Sequence, residues 1–177
     1  MPFGVLREED LEFLDQAIAI SAQARMEDGF TPFGAVVTVG GLVVGVGRSS
    51  VIRLRDATAH AEVMALRAAG LLLGNHLVEG GVMYSSSEPC PLCLAACYWA
   101  GIERLVYAAS SEDAERAGFE DKEFYRQLAL PNERRTRLVE VQAAAGLESR
   151  TAAVAVLEAW SAHLTVNPDP RQGRSSG

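Results

Sequence analysis

The spacing of apolar residues changes once in the first fifty positions, and that change separates a helix from a hairpin. Leu11, Leu14 and Ile18, continued after a shift in phase by Ala22 and Met26, recur at helical spacing. Asp10 is available as an N-cap and Gly29 lies just past the end, so an amphipathic helix is predicted between them. Gly34 to Val39 is then β-rich, Gly40-Gly41 forms a turn pair, and Leu42 to Val46 is β-rich again. This pattern predicts a hairpin. Arg48 to Thr58 has no sustained period and reads as a loop with polar side chains.

From Ala59 to Leu73 the Ala, Leu, Glu, Met and Arg content predicts a second helix beginning near His60. Gly80-Gly81 releases Val82 to Ser86, whose Val-Met-Tyr core suits a buried strand. A further helix follows, with Pro91 where a first-turn proline is tolerated and apolar residues continuing through Trp99 to Gly101. Arg104 to Ala108 reads as a strand, Ser110 or Ser111 as the cap of a helix through Ala117, and Arg137 to Val141 as a last strand. Thr151 to Leu164 gives the final helix. Helical crossovers after a hairpin imply an α/β fold, a three-layer α/β/α sandwich with a mixed five-stranded sheet.

At 177 residues and 18.9 kDa, with 49% hydrophobic residues, the chain fits one domain over residues 1–166. Residues 167–177 are rich in Pro, Gly, Ser and Arg and are expected to be disordered. Met1 to Asp10 has no basic region followed by an apolar one, and no apolar run is long enough to span a membrane. A cytoplasmic protein is expected. A net charge of −7 repels phosphate backbones and disfavours nucleic acid as a partner. Three cysteines cannot make a disulfide framework.

Two of those cysteines, Cys90 and Cys93, stand three positions apart in Glu88-Pro89-Cys90-Pro91-Leu92-Cys93. At a helix start both sulfurs point the same way, and the unpaired amide N–H groups favour thiolates. A redox pair would need neither His60 nor Glu62, and a zinc ribbon would need a second Cys-x-x-Cys. His60 with Cys90 and Cys93 supplies three ligands, the number of a catalytic zinc site whose fourth position holds water. His-x-Glu followed by Pro-Cys-x-x-Cys is the signature of zinc deaminases, in which the Glu carries protons and does not bind metal. That assigns Glu62. Cys97 reads as a small apolar core residue.

The chain resembles the cytidine deaminase-like superfamily, and within it the guanine deaminase branch. The resemblance runs from about Thr31 to Val141 and rests on Pro32-Phe33-Gly34-Ala35, Thr58-Ala59-His60-Ala61-Glu62, Glu88 to Cys93, Tyr98-Trp99 and Ala117-Gly118-Phe119-Glu120-Asp121. It implies the superfamily's fold, Zn2+ on His60, Cys90 and Cys93, proton transfer by Glu62, and a contact to the base or a second proton transfer by Asp121. It also implies substrate contacts from Phe33, Ser49, Ala61 and Trp99, with Phe33 stacking near the ring. Where guanine deaminases place a base-binding Asn, this chain reads Gly47-Arg48-Ser49-Ser50; where Bacillus-type enzymes end in an aromatic residue, it ends in Arg174-Ser175-Ser176-Gly177.

The implied reaction is hydrolytic deamination of a small heterocycle, with guanine or a related aminopurine leading. Guanosine, cytosine or an aminotriazine is the alternative, a tRNA adenosine is disfavoured by charge, and a catalytically silent zinc protein is opposed by the intact Glu62. Relatives assemble through sheet-flanking helices, so a homodimer is expected.

Overall fold

The computed structural model describes residues 4–24, 26–119 and 121–166. Glu120 and the tail expected to be disordered lie outside the described residues. The chain divides into two compact units, Met1–Tyr125 and Arg126–Gly177.

The first unit is built on a mixed sheet. Helix α1 (Glu8–Ala24) leads to the hairpin β1 (Gly34–Val39) and β2 (Leu42–Arg48), and the predicted loop after it contains one short turn of helix, α2 (Val51–Leu54). Then come α3 (Ala61–Leu73), β3 (Gly81–Ser87), α4 (Pro91–Trp99), β4 (Arg104–Ala109), α5 (Ser111–Arg116) and α6 (Asp121–Leu128), whose residues from Arg126 on fall in the second unit. Strand order is β2-β1-β3-β4. β1 is antiparallel to both neighbours, whereas β3 and β4 are parallel and joined through α4, the crossover a parallel pair requires.

Alternation along the strands divides the core. Val36, Tyr84 and Val106 face α1 with its Leu14 and Ala17, while Ala35, Val37 and Met83 face the side of Ala61, Ala65, Ala69 and Cys97. Three layers result. On the α3 side the approach is unusually close: a Cβ on Gly47 would lie 2.0 Å from the Ala61 carbonyl oxygen, and one on Gly45 2.2 Å from that of Ala65. Two glycines in β2 opposite buried alanines in α3 therefore fix how deeply the helix settles, and with it the positions of His60 and Glu62 at its start.

Two expectations are corrected. Asp10 is not the N-cap of α1; it sits fully buried in the first turn and reaches back to accept from the Arg7 N–H at 2.6 Å. It also accepts from Tyr84 Oη at 3.0 Å and from both terminal nitrogens of Arg104, tying α1 to β3 and β4. Arg137–Val141 is not a strand, so the sheet has four strands among the described residues, not five. Leu138, Val139 and Val141 are exposed and no strand edge pairs with them; β propensity alone does not make a strand without a partner. The second unit holds a 3₁₀ turn at Asn132–Arg134 and helix α7 (Glu148–Val166), which begins before the predicted Thr151. No helix among the described residues is long and apolar enough to cross a membrane.

Candidate active site

Two helix starts converge on one point. His60 is the N-cap of α3 in extended conformation, and its side chain makes no capping hydrogen bond, so the ring is left for other work. Cys90 is the corresponding residue of α4, extended ahead of Pro91, and Cys93 lies within the first turn. In α4 the Cys93 backbone N–H reaches the Cys90 sulfur, so the N-terminal end of that helix favours a thiolate there.

His60 Nδ1 lies 3.5 Å from Cys90 Sγ and 3.4 Å from Cys93 Sγ, and the two sulfurs are 3.7 Å apart. A tetrahedral zinc with ordinary bond lengths separates two sulfurs by about 3.8 Å and a nitrogen from a sulfur by about 3.5 Å. The triangle fits zinc without rearrangement. These three residues form the cluster of possible metal ligands found among the described residues, and Cys97 is not in it. Cys97 is buried, and burial pushes its thiol up to about 12, as suits a core residue. The Cys93 side chain, and after it the His60 ring, lowers the Cys90 thiol below its ordinary value.

Glu62, in the first turn of α3, is 6% exposed. Its carboxylate accepts from Ser85 Oγ at 2.9 Å, and Ser85 is itself buried on β3. Burial raises the Glu62 carboxyl above the usual carboxylate range, with the Ser85 hydrogen bond acting against it. Ser85 was not singled out from the sequence, although a signal existed: it shares the inward face of β3 with Met83, and a polar side chain there requires a partner.

A cavity of about 260 Å³ opens onto this cluster. Phe33, Ser49, Ala61 and Asp121 all line it beside His60 and Glu62, as do Thr31 and Phe119. Phe33 and Phe119 meet edge to face, with ring centroids 4.7 Å apart. Asp121 opens α6, and burial raises its carboxyl, the Cys90 sulfur adding to the rise. Lys122 bridges Glu112 at 3.0 Å and Glu115 at 2.9 Å, and Tyr125 Oη donates to the Pro89 carbonyl at 2.7 Å. Those contacts hold the start of α6 against α5 and against the Cys90 turn. Trp99 departs from the pattern: it is 72% exposed at the end of α4 and does not line the cavity of its own chain. Thr31 and Phe124 line the cavity but were missed, because the loop and the α6 register that bring them there depend on tertiary packing.

Residues 7–109 match the family model of the cytidine and deoxycytidylate deaminase zinc-binding region. The chain belongs to this family. It is therefore a zinc-dependent deaminase by family, and its His-Cys-Cys triangle is a group that could hold the ion. The chain is 40% identical over 124 residues to a guanine deaminase from Bacillus subtilis, covering 70% of this chain and 80% of the relative. A solved structure of guanine deaminase from that organism superposes with a TM-score of 0.79 at 34% identity, over 89% of this chain and 95% of the other. The guanine deaminase from Nitrosomonas europaea aligns at a TM-score of 0.59 and 27% identity, over 92% of this chain and 88% of its own. A tRNA-specific adenosine deaminase from Buchnera aphidicola is 38% identical over 98 residues, which is 55% of this chain and 65% of the relative.

Proposed function

We propose that the protein hydrolyses guanine to xanthine and ammonia, with His60, Cys90 and Cys93 as zinc ligands and Glu62 as proton carrier. The observation that carries this reading is the His60-Cys90-Cys93 triangle at tetrahedral spacing beside the buried Glu62, at the base of a cavity with aromatic side chains in its walls. Similarity to guanine deaminases over most of the chain supports the choice of base.

Bound zinc would supply a water acidified from a pKa of about 15.7 to near 7, a nucleophile at neutral pH. The chain's residues do the rest. Glu62, held by Ser85 on one oxygen, accepts the proton of the attacking water with the other and delivers it to a ring nitrogen. It then carries the second proton to the departing amino group, so guanine and one water give xanthine and ammonia. Phe33 with Phe119 excludes water and packs against the heterocycle, and Asp121 accepts from its N–H edge.

The same proposal includes a homodimer. Its support is the exposed Tyr98 and Trp99 on α4 and, in the second unit, the exposed Val154, Val156 and Leu157 of α7. A monomer mass by light scattering at micromolar concentration would end it. A cytoplasmic location accords with three unpaired cysteines.

The test of function is ammonia release from guanine, guanosine, cytosine, adenine and ammeline by enzyme of measured zinc content. We expect guanine to lead and about one zinc per chain. Efficient turnover of cytosine with guanine untouched would overturn the substrate, and activity on a tRNA adenosine alone would replace it.

A further inference from the structure

Asp121 is carried on a different element from the metal cluster and Glu62, so its place in the cavity depends on how α6 is held. The chain leaves α5 through Gly118, whose φ of +95° is the left-handed conformation that glycine adopts without strain. Phe119 N–H then donates back to the Ala114 carbonyl at 3.1 Å, and α6 begins at Asp121. None of the described residues of α6 is fully buried. Side-chain contacts at its start, and not a buried core face, therefore decide where Asp121 lies.

Asp121, Phe124 and Tyr125 stand at the i, i+3 and i+4 positions that share one face of a helix. Asp121 and Phe124 line the cavity. One turn beyond Asp121, Tyr125 Oη donates to the Pro89 carbonyl at 2.7 Å. A carbonyl oxygen only accepts, so the direction of this bond is fixed by its chemistry. Pro89 is fully buried and directly precedes Cys90, so its carbonyl belongs to the peptide group that carries the Cys90 nitrogen. A single part-buried hydrogen bond thus runs from the ligand turn to the turn of helix that bears Asp121. The ion pairs of Lys122 with Glu112 and Glu115 act elsewhere, since they join α6 to α5, and their exposed carboxylates make them weak.

We infer that Tyr125 is a positioning residue for Asp121: its hydrogen bond to the Pro89 carbonyl sets the start of α6 against the metal cluster and keeps the Asp121 carboxylate in reach of the bound ring. Tyr125 itself touches no reacting atom. This rests on the proposed guanine reading, in which Asp121 accepts from the N–H edge of the base.

The test is a double-mutant cycle on guanine with zinc-loaded wild type, Tyr125→Phe, Asp121→Asn and the double variant. Zinc content is measured for each, and rates are expressed per bound zinc, so an incompletely folded preparation does not imitate a catalytic loss. Tyr125→Phe keeps the ring and removes only the hydroxyl. It should lower kcat/KM about tenfold, as a displacement of a substrate contact does, with zinc content unchanged. The loss should divide between kcat and KM as it does for Asp121→Asn, because both act through one carboxylate. With Asp121→Asn already present, Tyr125→Phe should change kcat/KM by less than about twofold. The same tenfold loss in both backgrounds would overturn the positioning role and leave the function standing, as would a Tyr125→Phe enzyme equal to wild type. Zinc lost from Tyr125→Phe would also overturn it, by assigning the bond to the ligand turn alone. A wild type inert toward guanine would overturn both readings.

Discussion

The sheet carries a buried carboxylate on each face, and the two are held in opposite ways. Asp10, on the α1 face, is fully buried and receives hydrogen bonds from Arg104, Tyr84 and the Arg7 backbone. Arg104 is the main reason its carboxyl is held far below the usual range, so it stays ionised. Glu62, on the α3 face, is buried to nearly the same degree, has a hydroxyl partner, and is pushed up by burial. A carboxylate paired with a guanidinium is held ionised, whereas one whose hydrogen-bond partners carry no positive charge is pushed by burial toward its protonated form. Burial alone therefore does not decide the charge state of a carboxylate; the charge of its partner does.

The sharpest break of that comparison is Glu62→Gln. Turnover of guanine should fall at least about 10³-fold while zinc content and melting temperature stay near wild type, because the amide keeps the Ser85 contact and removes no guanidinium partner. Loss of zinc with this change would make Glu62 a ligand, contrary to the assignment.

Asp10→Asn should behave in the reverse sense. Removing the charge leaves Arg104 with a weaker partner and should cost about 2–4 kcal/mol by denaturant titration, while kcat of the folded fraction is unchanged. A stable, inactive variant would contradict the division of labour.

Ser85→Ala sharpens the comparison from the catalytic side. Freed from its hydroxyl, Glu62 samples other rotamers, so kcat should drop about tenfold with KM changed less than about twofold, and Ser85→Thr should restore most of it. An effect on KM alone would assign Ser85 to binding.

The smallest effect is in acid. Asp10 has a folded pKa below its ordinary 3.8, so its contribution is complete above that value and is lost as pH falls through the folded one. The stability gap between wild type and Asp10→Asn should be flat from neutral pH to about 5 and shrink below about 4. A gap that grew on acidification would mean that Asp10 is not the group being held ionised.

Much of this protein was legible in order along the chain. The hairpin, the helix at His60, the strand before Glu88 and the helix after Cys90 depend on local spacing and turn residues, which act over a few positions. The placement of His60, Glu62, Cys90 and Cys93 was readable for the same reason, since each lies at a helix start that the chain itself marks. What tertiary structure alone decided depends on distant partners. Arg137–Val141 has strand-like composition but pairs with no strand among the described residues, and Asp10 is set by Arg104, 94 positions away. Trp99 faces outward because the α4 residues that pack beneath the sheet are Cys93 and Cys97. Ser85 meets Glu62, and Thr31 meets Ser49, only when β3 lies under α3 and the loop before β1 folds back on the end of β2. Spacing reports which way a side chain points; what it meets there is decided by the packing of elements far apart in the chain.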